Sequence, residues 1–447
     1  MTYRNGAGDK TRLLIFRYRE VNVHMSLKQN DFLYSTFRKF LLTLKWMFFG
    51  ILAGVIVGSV SACFGKAISM ATAFRSTHPF ILFLLPLAGV FIVFFYILLG
   101  ARTPKGTNLV IDAIHNGQRV PLRMTPLIIV STVVTHLFGG SAGREGAALQ
   151  VGGSLGNSLG HVLGFSEKDH RRTIMCGMSA SFSALFGTPL AATIMPIEMS
   201  TVGIMYYSAL APCAIAALTA HFVAEIINPG AESAMKLSVV NEFTWKSGLF
   251  TIGFAILCSF VAILFCSTLH ETKKFAKTVF KNSYIRAVVC GAIVIGLTLI
   301  VGSQTYNGAG SDVIASCIND PKYQIAAYAF LLKIIFTAIT LSGGFQGGEI
   351  VPSLFIGATF GHALAGLCNY SPSMGAALGA VFVFCGVTNC PVASILIGFE
   401  LFGFELSSYV LLGVAVTYLF SGNYSLYGSQ KIRFNKYEPE VINRNAH

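Results

Sequence analysis

Two acids stand at the ends of matching glycine-rich stretches. Glu145 closes Gly139-Gly-Ser-Ala-Gly-Arg-Glu, and Glu349 closes Gly343-Gly-Phe-Gln-Gly-Gly-Glu, at an offset of 204 residues. A helix start presents unpaired N–H groups and a partial positive charge. Glycines there let an anion come close to the backbone. A carboxylate in such a place is itself an anion, so it competes for the site, and protonation removes the competition. Burial and the helix end pull its proton affinity in opposite directions. A group balanced in this way can exchange protons and couple them to anion movement. The plainer alternatives are that Glu145 caps its own helix or pairs with Arg144, and that Glu349 is a helix N-cap or first-turn acid.

The correspondence extends beyond these two stretches. Gly106 and Gly310 match at the same offset of 204. Pro189 and Pro391 match at 202, and nine residues after each proline come Glu198 and Glu400. Four motifs in register indicate a duplicated unit, and glycine-broken helix starts repeated in two halves point to a binding site between them. Glu198 and Glu400, equivalent across the repeat, are expected to brace the fold by bonding helix-start amides.

The elements that hold these residues must lie in a membrane. The 447 residues are 54% hydrophobic and 11% charged, with mean hydropathy +0.66, against about 25% charge in a soluble domain. Apolar runs near the ~20-residue bilayer length recur, for example at 46–64, 79–100, 248–269, 285–302 and 375–402. Shorter runs broken by Gly and Pro lie between them, and such broken spans are tolerated only where protein or a water-filled cavity covers the freed backbone groups. The net charge of +13 gathers in the first 45 residues, in the loop expected at 271–286 and after 430. Clustered beside apolar runs, it reads as positive-inside topology rather than nucleic-acid binding, with both termini cytoplasmic. The ten cysteines lack metal or CxxC spacing and read as small core residues. No secretory signal is expected from the polar, basic start, and residues 30–45 suggest an amphipathic surface helix.

The expected organisation is a basic cytoplasmic segment over 1–45, a first membrane repeat over 46–230, a connector over 231–247, a second repeat over 248–420, and a short tail over 421–447 without a regulatory domain. Two Gly-x-Ser-x-Gly patterns, at Ser141 and Ser154, fit a serine-nucleophile motif. Neither follows a strand, and no His–Asp partnership accompanies them, so an enzyme is not expected. Asp112 and His115 lie one turn apart with nothing to complete a metal site. Neither metal nor cofactor is called for.

Gly-Gly-Ser-Ala-Gly-Arg-Glu-Gly over 139–146 resembles the G-x-x-x-G-R-E-G-P signature of the CLC family of anion channels and proton-coupled antiporters. Lys333 through Pro352 resembles its G-G-x-x-G-x-F-x-P hallmark. Cys176-Gly-Met-Ser-Ala through Glu198 matches a third motif, and Leu426-Tyr427 the C-terminal tyrosine region. The matches run in order from about 46 to 430. The resemblance implies an all-α polytopic membrane protein of inverted repeats with broken, partly spanning helices, forming a homodimer with one pore per subunit. It implies that Glu145 gates and couples protons and that Tyr427 lines the anion path. The anion-binding set is then Lys105, Gly106, Thr107, Asn108, Gly143, Arg144, Gly146, Gly348, Ile350, Val351 and Tyr427.

This chain departs from the family pattern at telling positions. The usual G-S-G-I-P-E is replaced by Pro104-Lys-Gly-Thr-Asn-Leu, which sets Lys105 where a chloride-coordinating serine usually stands and Asn108 where proline stands. Ala147 replaces the proline after G-R-E-G. Glu349 and Ile350 occupy positions that are usually apolar, and Met199 occupies the position of the inner proton-relaying glutamate. These changes resemble the fluoride-exporting branch. Fluoride is small, strongly hydrated and a strong hydrogen-bond acceptor, so its site needs close donors. A protonated Glu349 and Asn108 could supply them, and Lys105 could attract anions at the inner mouth or be a solvated topology charge. The expected partners are therefore an inorganic anion, protons, the lipid bilayer and a second copy of the chain. The expected activity is proton-coupled fluoride export, with a chloride or nitrate antiporter, or a passive channel, as alternatives of the same fold.

Overall fold

The computed structural model describes residues 7–100, 106–230, 237, 242–368, 370–438 and 440–446, with side chains from 34 onward. Lys105 and most of the connector (231–236 and 238–241) lie outside the described residues. Two compact units are distinguished, residues 1–49 and residues 50–447.

The first half comprises α1 (Ala7–Thr77), α2 (Leu85–Leu98), α3 (Asn108–Asn116), α4 (Met124–Leu137), α5 (Glu145–Val162), α6 (His170–Phe186), α7 (Pro189–Met199) and α8 (Leu210–Ile227). The second comprises α9 (Trp245–Val279), α10 (Ser283–Val301), α11 (Ser311–Asn319), α12 (Ala329–Ser342), α13 (Ile350–Leu367), α14 (Pro372–Thr388), α15 (Pro391–Phe402) and α16 (Ser407–Phe420). The duplication is visible in the lengths. Helices α3 and α11 have 9 residues each, α4 and α12 have 14, α5 and α13 have 18, and α6 and α14 have 17.

Hydrogen bonds are exchanged reciprocally between the halves, whose equivalent positions lie 205 apart, one residue off the 204 register read from the glycines. Helices α4 and α12 start 205 apart, as do α5 and α13, so in the structure Ile350 is the counterpart of Glu145 and Arg144 that of Glu349. Gly143 N–H donates to Gly348 O and Gly348 N–H to Gly143 O, both at 2.7 Å, in an antiparallel bridge. Ser141 N–H donates to Thr340 Oγ1 while Gln346 N–H donates to Thr135 Oγ1. Exchange in both directions is the mark of a two-fold relation, and here it relates the two inverted halves of one chain.

Close helix packing supports this arrangement. Gly152 and Gly156 lie against Gly177 where α5 crosses α6, and Gly357 and Gly361 lie against Gly379 and Gly375 where α13 crosses α14. A Cβ at any of them would meet the facing backbone. Such small-residue contacts drive helix association where lipid offers no hydrophobic force. Among the described residues, six helices are long and apolar enough to cross a membrane, and shorter apolar helices such as α4, α12, α14 and α15 lie among them. At about 1.5 Å per residue the shorter ones fall well short of a ~30 Å hydrocarbon core, so their ends are satisfied inside the protein.

Several sequence expectations change. The apolar run 375–402 is two helices: Asn389, at φ 55°, closes α14, and Pro391 opens α15. The basic stretch expected as loop 271–286 is helical to Val279, because α9 has 35 residues. The second half begins at Trp245, and the surface helix expected over 30–45 falls within α1. The tail carries the only strands of the described residues besides Thr201–Val202 (β1). Lys431–Phe434 (β2) pairs parallel with β1 and antiparallel with Val441–Asn445 (β3). The fully buried Gln430 fixes this strap by donating to Met199 O and Thr388 O.

Candidate functional site

The two acids sit on either side of the Gly143–Gly348 bridge. Glu145, 1% exposed, folds back on its own helix start. Its Oε2 accepts from Arg144 N–H at 3.1 Å and its Oε1 from Arg144 Nε at 3.2 Å. Arg144 also donates through Nη2 to Leu185 O. In this conformation Glu145 therefore caps its helix and pairs with Arg144 at once.

Because the Gly143 and Gly348 N–H groups donate to each other's carbonyl oxygens, they are not the donors left for a ligand. The first intrahelical bonds are Ala148 N–H to Arg144 O in α5 and Ser353 N–H to Glu349 O in α13. The amides of Gly146, Ala147, Ile350 and Val351 precede those ladders, as the opening amides of any α-helix must. Pro352 has none to offer.

Gly146 is where the parts converge. A Cβ built there would lie 2.8 Å from Gly348 Cα, 3.2 Å from Thr107 Oγ1 and 3.3 Å from Glu349 Oε2. No other residue allows the start of α5 to come this close to both the second acid and the start of α3. Gly106, at φ 61°, turns the chain into that start.

The surroundings of Glu349 are built differently. Glu349 Oε2 is buried without a partner among the described residues, and so is the hydroxyl of Tyr427, which is 1% exposed. Asn108 uses Oδ1 to accept from Ser429 N–H at 2.9 Å, which leaves its amide nitrogen as the ligand-facing donor type. Thr107, Asn108, Glu349, Tyr427 and Ser429 line a cavity of about 480 Å³. A smaller cavity, about 20 Å³, is lined by Arg144, Ser183, Leu185, His221, Glu225 and Asn228. Glu349 lines the larger cavity directly, whereas Glu145 lines neither and meets the smaller one only through Arg144.

Glu198 and Glu400 form a third reciprocal contact. Glu198 accepts from Val392 N–H (3.0 Å) and Ala393 N–H (2.9 Å) at the start of α15. Glu400 accepts from Leu190 N–H (2.7 Å) and Ala191 N–H (2.9 Å) at the start of α7. His115, considered with Asp112 as a metal pair, is engaged with Ser200 O at 2.8 Å. Lys333 does not reach an interface: it is 0% exposed and donates to Tyr306 O and Gly308 O.

Sequence reading missed part of the larger cavity. His270, Lys273 and Lys277 of α9 also line it, and their spacing of three and four was the available signal.

Comparison with known proteins accords with this architecture. Residues 88–422 match the family model described as voltage gated chloride channel. A chloride/fluoride channel protein of Pseudomonas syringae pv. tomato is 36% identical over 405 residues, covering 89% of each chain. The crystal structure of a CLC-type fluoride/proton antiporter superposes with a TM-score of 0.84 at 33% identity, covering 87% of this chain and 98% of that one. An H(+)/Cl(-) exchange transporter of Vibrio cholerae is 24% identical over 395 residues, covering 79% of this chain and 81% of its own. The chain belongs to the voltage-gated chloride channel (CLC) family of membrane transport proteins.

Proposed function

We propose that this protein exports fluoride from the cell in exchange for protons. The observation that carries the reading is the pair of unpartnered, buried polar groups, Glu349 Oε2 and the Tyr427 hydroxyl, on residues that line one cavity together with Asn108. A protonated Glu349, the Tyr427 O–H and the Asn108 amide are three hydrogen-bond donors in one place. Hydrogen bonds to an ionic acceptor are roughly twice as strong as neutral ones, and the gain is largest for the smallest halide. The resemblance to a chloride/fluoride channel protein and to a fluoride/proton antiporter supports the same substrate.

In this reading the deprotonated Glu145 holds the α5 start against anions. Protonation from the outer cavity releases it from Arg144, and the amides of Gly146 and Ala147 become available to the anion. Glu349 carries the proton on the inner side, where Met199 supplies no acid. The basic end of α9 marks the cytoplasmic side by the positive-inside rule, so the 480 Å³ cavity opens inward and both termini are cytoplasmic. The exposed apolar faces of α8 (Leu218, Phe222, Ile226) and α16 (Leu411, Leu419) suit a homodimer contact within the bilayer.

The test is ion-electrode efflux from liposomes loaded with equal fluoride and chloride, with external pH recorded. Fluoride release that drives proton movement, with a fluoride preference that falls in Glu349→Ala, is the expected outcome. Chloride release at an equal or greater rate, or an unchanged anion ratio in the variant, would refute the assignment of fluoride and of Glu349.

A further inference from the structure

Arg144 faces a wall that the transport chemistry above does not use. Its Nε donates to Glu145 Oε1 and its Nη2 to Leu185 O, both at 3.2 Å. Yet the Arg144 side chain is 23% exposed where that of Glu145 is 2%. The side chain also borders the smaller cavity, about 20 Å³, which is room for about one water. Around that cavity stand Ala224, Glu225 and Asn228, at the end of α8. Leu185 lies in the last turn of α6. Arg144 is thus set between the C-terminal ends of two helices, where a cation is favoured, and Glu225 adds a full negative charge to one of them. Glu225 is exposed, and His221 precedes it by one turn of α8. Arg144, His221 and Glu225 are the titratable or charged residues around this cavity among the described residues; α1 and the α6–α7 turn contribute none.

We propose that Glu225 is a second acid for Arg144, which takes the guanidinium when Glu145 is protonated and leaves. The proposal rests on the proton-coupled reading and adds a positioning residue to it. Release of Glu145 removes the carboxylate from Arg144 Nε. A charged donor left without its acceptor carries a desolvation cost, and that cost opposes the release. A guanidinium free to turn toward the α5 start creates the converse difficulty. Its fork of donors binds an anion strongly, and the transported ion must also leave. A carboxylate across the cavity removes both effects, because the guanidinium exchanges one acid for another over the width of about one water. Glu225 then acts through Arg144 without touching the anion. While Glu145 is ionised, the charge on Glu225 also loosens the hold of Arg144 on it. For a partly exposed pair this amounts to a factor of up to about five.

Two experiments test it. The first is proton-coupled fluoride flux in proteoliposomes against external pH, for the wild type, Glu225→Gln and Glu225→Asp. Flux rises as pH falls through the protonation of Glu145. With residue 225 neutral, Arg144 stays with Glu145, so the midpoint of Glu225→Gln should lie about half a pH unit lower, roughly a threefold higher proton concentration. Glu225→Asp keeps the charge and should restore the wild-type midpoint. The same shift should appear when both chains also carry His221→Gln, which excludes titration of His221 as its source. An unshifted midpoint in Glu225→Gln, or a lowered maximal rate with the midpoint in place, overturns the proposal. The second is the structure of Glu145→Gln, whose neutral side chain stands for the protonated acid. Residue 145 released and Arg144 within about 4 Å of the Glu225 carboxylate is the expected result. Residue 145 released with Arg144 turned away from Glu225 overturns the second acid and leaves the coupling reading intact. Residue 145 still held by Arg144 overturns the release of Glu145, and the coupling reading falls with it.

Discussion

Replacing Glu198 with alanine should weaken the protein far more than the same change at its repeat partner, Glu400. Each carboxylate accepts two backbone N–H groups from the start of the opposite half's helix. A hydrogen bond to a charged group contributes about 1.5–3 kcal/mol, and a buried donor left alone carries its full desolvation cost. The donor pairs are alike, Val392 and Leu190 being exposed (40% and 50%) and Ala393 and Ala191 fully buried, so the contrast lies in the acids. Glu198 is 7% exposed, and Glu198→Ala should cost about 3–6 kcal/mol. Glu400 is half-buried, so water reaches the place its carboxylate leaves, and Glu400→Ala should cost only about 1–2 kcal/mol. Glu198→Gln keeps one acceptor oxygen and should fall between. The assay is thermal unfolding of purified protein at one scan rate, because unfolding of a membrane protein is commonly irreversible, paired with measurement of proton-to-anion stoichiometry. The structural role requires Glu198→Gln to retain coupling. Equal destabilisation by the two alanine variants would refute the burial argument. Loss of coupling in a Glu198→Gln variant of normal stability would make Glu198 a proton carrier instead.

Two further outcomes follow from the geometry. Gly146→Ala sets a Cβ against Gly348 Cα, Thr107 and Glu349; overpacking of about 1–3 kcal/mol should spread the two helix starts and lower flux at least tenfold while the protein stays folded, and wild-type flux would contradict the convergence at this residue. On the tail, burial pushes the Lys436 ammonium down to about 8, although its Nζ donates to Asn389 Oδ1 and Tyr418 O. The unfolded chain holds that proton up to the ordinary lysine value near 10.5, so between pH 8 and 10.5 the unfolded state binds more protons and stability rises with pH. The melting temperature of the wild type relative to Lys436→Met should therefore climb across that window and be flat below it; a falling difference would show that the charged form is the one the fold favours.

Much of this site was legible in the sequence because its logic lies in side chains and spacing. The glycines before Glu145 and Glu349, the matching prolines at 189 and 391, and the acids nine residues beyond them fixed the duplication and the convergent helix starts. Backbone pairing leaves no such mark. That Gly143 and Gly348 bond each other, and so leave Gly146, Ala147, Ile350 and Val351 as the opening amides, depends on register between halves. Lys333 lies in an apolar helix, and nothing in the local pattern shows its partners, the carbonyls of Tyr306 and Gly308, more than twenty residues away in sequence. The tail reads as a short extension because strands of four and five residues carry little periodic signal. The lysines of α9 were visible only as charge until the helix was seen to run on to Val279.

Paired recordings of fluoride and proton flux in liposomes, for the wild type and Glu145→Gln, test whether fluoride exchanges for protons through Glu145. The wild type should drive protons against their gradient when given a fluoride gradient, and Glu145→Gln should abolish that proton movement. Proton movement that persists at the wild-type ratio in Glu145→Gln would contradict that exchange.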